Sequence, residues 1–159
     1  MISDSIKKGF SFGMASGVIT TLGLMVGLDS GTHSKLVVLG GILSIAVADA
    51  FSDALGVHIS EESENKHRVR EIWQSTGMTF VAKFVVAATF VVPILLLSLP
   101  IAIAVSIVWG LCLLGILSYV VAKAEKINPW EAVLEHVVIG LVVIAITHLV
   151  GDWTASVFR

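Results

Sequence analysis

Charge is what this 159-residue sequence is short of: Asp, Glu, Lys and Arg make up 14% of it. A soluble domain of that size carries about 25%. So few charges would leave most of a globular surface apolar, so much of the surface must face lipid rather than water. Hydrophobic residues reach 56%, and the mean hydropathy is +0.95. A net charge of −2 gives no field of one sign that would point to nucleic acid. Cysteine occurs once, at Cys112, which excludes an internal disulfide and a CxxC metal motif. Within its apolar run that thiol is expected to be packed or lipid-facing. A signal-peptide pattern is also missing from "MISDSIKKGF", because the basic pair is followed by a Gly-rich helix with no A-x-A-type cleavage site. No removed leader is expected.

What is present is a succession of long apolar runs. Residues Phe84 to Ala122 are uncharged throughout. As one helix this stretch would reach about 58 Å, roughly twice a bilayer core. It must fold back, and "SLP" at 98–100 supplies the turn, since Pro100 suits the start of a helix. Pro93 is expected to kink the span before it. The reading is an all-α membrane protein, a single transmembrane domain over 1–159, with five spans at about 8–28, 35–64, 77–97, 100–122 and 130–158. Lys7, Lys8, Lys66, Arg68, Arg70, Lys123 and Lys126 then fall on one side, and Lys35 and Arg159 on the other. The positive-inside rule places the N-terminus in the cytoplasm and the C-terminus outside. Trp73, Trp130 and Trp153 fall at span ends, as interfacial aromatics should.

Two stripes of small residues recur every four positions: Gly9, Gly13, Gly17 and Thr21, then Gly40, Ser44, Ala48, Ser52, Gly56 and Ser60. Such stripes let membrane helices approach closely, and the expectation is a tight contact between the first two spans. Beside the second stripe lie Asp49 and Asp53, one helical turn apart. If the hydrocarbon begins near Leu36, they sit roughly 20 and 26 Å in. An ionised carboxylate near the bilayer centre costs at least about 3 kcal/mol, and two of them repel. The pair is tolerable if a cation neutralises it or one member takes a proton. Oxygen ligands suit hard or borderline divalent ions. The alternative is that both aspartates bond hydroxyls and lock the first two spans together.

Glu61, Glu62 and Glu64 are expected to emerge at the cytoplasmic interface beside Glu131, Glu135 and His136, where they could line a mouth that gathers cations or be a solvated helix end. His58 reads as a ligand or a hydrogen-bonded interface histidine, with the second favoured. His148 and Asp152 read as an interfacial pair rather than an exit site, and His67 as solvated. Lys83, placed early in the third span, is expected to snorkel to the headgroups rather than partner the acidic pair.

The stretches "SGVITTLGLMVGL", "FSDALGVHISEESE" and "VIGLVVIAITHLVG" resemble the vacuolar iron transporter (VIT) family, across all five spans in order. The resemblance implies a dimeric five-helix transporter that exports cytosolic Fe²⁺ or Mn²⁺, with proton antiport in some members. It also marks departures. Ser16 stands where the family usually has an Asp, Asp53 where it has a pathway Met, and Val57 where it has a Glu. "NKHRVREIWQS" is too short for the inserted Glu-rich metal-binding domain of many members. The acids thus move from the first span to the second, with Ser16 donating an oxygen, and losing the thioether favours Mn²⁺ over Fe²⁺. The metal-site set expected is Asp49, Asp53, Glu61, Glu64, Glu135 and Ser16. The metal ion is cargo, with no tightly bound cofactor and no catalytic residue. Partners are metal ions, protons, lipid and a second copy of the chain; the membrane is the plasma membrane of a prokaryote or that of an organelle. Two competing classes are a metal-dependent enzyme of lipid headgroups, which lacks a basic phosphate anchor here, and a non-transporting metal-binding scaffold or sensor.

Overall fold

Few residues decide where the helices begin. Ser34 is extended and its hydroxyl accepts from the Val37 N–H at 3.4 Å, opening the second helix. Ser98 is extended ahead of Pro100, in the first turn of another. Pro129 opens the last, after Asn128, whose side chain accepts from the Trp130 N–H at 3.2 Å; at a helix start the N–H that proline lacks has no intrahelical partner to lose. The computed structural model describes residues 4–64, 66 and 68–158. The helices are α1 (Asp4–Thr32), α2 (Lys35–Ser63), α3 (Val69–Thr89), α4 (Val91–Leu96), α5 (Leu99–Ala124) and α6 (Pro129–Phe158). Since α3 and α4 together form one span, five spans are long and apolar enough to cross a membrane. The chain is an all-α membrane protein, as the composition implied. Asn65, His67 and Arg159 lie outside the described residues, and with them the expectations for the His67 and Arg159 side chains.

The third span differs from expectation in two ways. It starts at Val69, not near 77, because "VREIWQST" continues the helix below the apolar run. The Arg68 N–H donates to Glu71 Oε2 at 2.9 Å, the reciprocal half of a capping box. The kink foreseen at Pro93 lies at Phe90. Proline clashes with the carbonyl four residues earlier, here that of Thr89, and the Phe90 N–H turns to the Ala87 carbonyl at 3.2 Å.

Helix α1 is the axis of the bundle, and its glycines form two ladders rather than one. A Cβ on Gly13 would meet the Thr79 carbonyl oxygen at 2.6 Å, and one on Gly17 would meet that of Lys83 at 3.2 Å. Gly9 lies likewise against Ser75. Positions 9, 13 and 17 of α1 therefore run in register with 75, 79 and 83 of α3. Further along, Gly23, Gly27 and Gly31 lie against Val143, Thr147 and Gly151 of α6. Around these contacts pack Val18, Leu22, Met25, Val38, Ile42, Val86, Phe90, Ile94 and Leu114.

The α2 stripe does something else. Gly40, Ser44, Ala48, Ser52, Gly56 and Ser60 are all exposed, and a Cβ on Gly40 or Gly56 would meet nothing within 4 Å. The tight contact expected between the two stripes is not made. The face of α2 turned inward is instead Val38, Ile42, Ala46, Ala50 and Ala54, whose alanines let the lower half of α2 sit close against the bundle. The outer surface is otherwise apolar: Leu43, Val47, Phe51 and Leu55 on α2, Val108 and Ile116 on α5, and Leu141, Ile146 and Leu149 on α6 are exposed. An apolar belt of this extent suits hydrocarbon, not water. Cys112 lies on this surface as a free thiol.

The ladder predicts a contrast between two glycines. Gly13→Ala should lower stability by about 1–3 kcal/mol, the usual cost of overpacking. Gly77→Ala should be neutral or slightly stabilising, since nothing lies within 4 Å of that position and alanine favours helix. Thermal unfolding in detergent measures both; equal losses would contradict the packing described.

Candidate metal site at mid-membrane

Asp49 and Asp53 lie on the flank of α2 that faces the α1–α3 seam. Four-residue spacing stacks their carboxylates on one side of the helix. Opposite them is Lys83 of α3, 1% exposed. Its ammonium contacts Asp49 Oδ2 at 2.5 Å and also Asp53 Oδ2. Ser16 of α1 completes the cluster: its hydroxyl donates to Asp53 Oδ2 at 2.5 Å and accepts from Lys83 Nζ at 2.8 Å. Side-chain exposures of 25% for Asp49 and 20% for Asp53 leave each carboxylate with one open edge.

The expectation that Lys83 snorkels is corrected here. It assumed a helix beginning near residue 77, whereas α3 begins at Val69. Fourteen residues of helix, about 21 Å, then separate Lys83 from the helix start. Its ammonium is enclosed and held by Asp49, Asp53 and Ser16, so it turns into the bundle rather than out to the headgroups. Gly17 makes room for it, since α1 passes against the Lys83 backbone and stem with no side chain between. The clue in the sequence was the four-residue run Ser75, Thr79, Lys83, which matches the spacing of Gly9, Gly13, Gly17.

Glu61 and Glu64 are held apart from this cluster. Glu61, expected at the interface, is fully buried near the end of α2 and pairs with Lys8 of α1, while Glu64 lies 3.8 Å from the same ammonium. Burial follows because α1 and α2 meet at this end of the bundle and Lys8 supplies the counter-charge. Glu135 is exposed on α6, which packs on α1 and α5. Among the described residues, no three His, Cys, Asp or Glu side chains come together as a metal-holding group. The expected set thus divides into Ser16, Asp49 and Asp53 around Lys83, Glu61 and Glu64 around Lys8, and Glu135 by itself.

Three of the histidines have polar side-chain partners. His58 Nδ1 lies 3.0 Å from the Thr76 hydroxyl, and its ring meets Trp73 edge-on, as the favoured reading had it. His136 Nδ1 lies 2.8 Å from the Ser118 hydroxyl. His148 Nε2 is 3.5 Å from Asp152 Oδ2, and Ser30 donates to both the His148 carbonyl and Asp152. This agrees with an interfacial pair. At the same end of the bundle Lys35 donates to the carbonyls of Leu95 and Leu97 at 3.3 and 2.9 Å, satisfying groups that the end of α4 leaves open.

Five apolar spans enclosing two carboxylates and an ammonium define a class: an integral multi-pass membrane protein with an ionic cluster inside the bundle. Residues 8–74, less than half of the chain, match the model of the VIT family, so the chain is similar to that family over this segment. The matched segment covers α1, α2 and the start of α3, so it contains Ser16, Asp49 and Asp53 but not Lys83. Members of the family are transporters, and the match points to membrane metal-ion transport. No curated protein matches the chain.

Because Ser16 and Asp53 share a bond, their substitutions should not add. Ser16→Ala is expected to cost about 1–2 kcal/mol, the loss of hydrogen bonds to charged groups. In an Asp53→Asn background that cost should shrink, since contacting residues couple. Chemical unfolding of the two single variants and the double variant measures the coupling; strict additivity would show that the bond contributes nothing.

Proposed function

We propose that this protein moves divalent metal cations of the Fe²⁺/Mn²⁺ class out of the cytoplasm, through the carboxylate cluster of α2 near the middle of the membrane. One observation carries the reading. Two carboxylates and one ammonium meet in the bundle interior, so the cluster holds one negative charge more than positive. An uncompensated charge at this depth is costly, and a bound cation or a proton relieves it. The oxygens that face inward, from Asp49, Asp53 and Ser16, are all hard donors, which suits Mn²⁺ better than a softer ion. Exchange of a cation for a proton at one such site would give antiport without further machinery.

Orientation and assembly belong to the same proposal. Lys7, Lys8, Arg68, Arg70, Lys123 and Lys126 lie near helix ends at one face of the bundle, and the positive-inside rule assigns that face to the cytoplasm. The N-terminus is then cytoplasmic and the C-terminus outside, in a prokaryotic plasma membrane or an organellar one. A homodimer through α2 accounts for its outer stripe of Gly, Ser and Ala, since lipid gives small residues little to pack against while a second helix can approach them closely. The open edges of Asp49 and Asp53 lie beside that stripe, so a second copy would bring two acidic clusters near one another. Glu61 and Glu64 stand between the cytoplasm and the cluster, on the route a cation would take to it.

Mn²⁺ flux into proteoliposomes tests the reading. Asp53→Asn and Asp49→Asn should each lower flux at least tenfold while the variants elute as folded protein. Wild-type flux in both would remove the cluster from the pathway, and binding without any flux would favour a non-transporting scaffold. For assembly, Ser52→Leu should convert dimer to monomer when mass is measured in detergent by light scattering; a dimer that persists would place the contact elsewhere.

A further inference from the structure

Lys83 occupies the place a cargo ion would need. Its Nζ contacts the Oδ2 atoms of both aspartates and lies 2.8 Å from the Ser16 hydroxyl, the same three oxygens assigned above to the metal. Metal–oxygen distances of about 2.0–2.6 Å would put a divalent ion at nearly the position of that nitrogen. Both cannot be there. Charge gives the same answer: with the ammonium in place the cluster is short of one positive charge, so adding a divalent ion would leave it one in excess.

We infer that Lys83 is a tethered counter-ion, seated between Asp49 and Asp53 when cargo is absent, which a divalent cation must displace in order to bind. The inference rests on the transport reading and adds what sets the affinity of its site. Lysine suits such a role because its ammonium is a point charge on a flexible four-carbon stem. Gly17 leaves the α1 wall beside that stem clear; a Cβ there would lie 3.4 Å from Lys83 Cγ. An ion that leaves behind an ammonium ready to return is also released more easily. Weaker binding and readier release than two bare carboxylates would give follow from this competition, and a transport site needs both. Of its residues, Lys83 alone lies beyond the family match.

The test is Mn²⁺ binding to the full-length protein in lipid nanodiscs, followed by the paramagnetic resonance of free Mn²⁺. The site's share of binding is the difference between wild type and the D49N/D53N double variant, which removes contributions from glutamates at the helix ends. K83M should bind Mn²⁺ at least tenfold more tightly than wild type. K83R should bind at least tenfold more weakly, because the guanidinium fork grips two carboxylates and leaves less readily. A residue needed only for folding would weaken binding in both. K83M binding equal to or weaker than wild type overturns the inference; should K83M not fold, wild-type affinity in K83R does so. If D49N/D53N binds as wild type does, the transport reading fails and the inference with it. If only the lysine variants leave affinity unchanged, the inference alone fails.

Discussion

The Lys83 ammonium is enclosed by the bundle, so its counter-charge must come from inside it. Asp49 and Asp53 meet that need from α2 and Ser16 from α1, and much of the packing around them follows. Gly17 is tolerated inside α1 because any side chain there would press on Lys83. The glycines at 9 and 13 keep α1 and α3 in the register that brings 17 opposite 83. The apolar face of α2, from Val38 to Ala54, seats that helix so that its acidic flank meets the seam. In water the same ion pairs would be worth little. In hydrocarbon, separating them leaves bare charges, so the cluster ties three helices together at mid-span.

A second ionic group, Lys8 with Glu61 and Glu64, closes the α1–α2 seam where the basic residues gather. The two clusters share a logic, each pairing one lysine with two carboxylates, but differ in setting. Lys8 is half-exposed at a helix end, whereas Lys83 is enclosed. A cation travelling from the first to the second would leave a place where water can replace it for one where only a proton or another cation can. On the transport reading proposed above, that difference, more than the number of acids, would make the inner cluster the selective point of the path.

The span count was legible in the sequence because it follows from length and hydropathy alone: an uncharged stretch too long for one crossing, a turn at Ser98, and a proline able to start the next helix. The pairing of faces was not. Small residues every four positions mark a helix that something approaches closely, without naming the partner. The α1 stripe packs on α3 and the α2 stripe on no other described helix. The direction of Lys83 was misjudged because its burial depends on Gly17 of α1 packing against it, a contact between helices that hydropathy does not reveal. The acidic pair itself could be read from spacing and environment. Its counter-ion, from a helix some thirty residues further along the chain, was weighed and passed over, since only the α1–α3 register shows which way Lys83 turns.

Anomalous diffraction at the manganese edge, from crystals soaked in Mn²⁺, tests the central claim most directly. The account predicts a peak between Asp49 and Asp53, within bonding distance of both carboxylates, with the Lys83 ammonium moved away. A peak confined to Glu61 and Glu64, or aspartates still paired to Lys83 at saturating Mn²⁺, would contradict it.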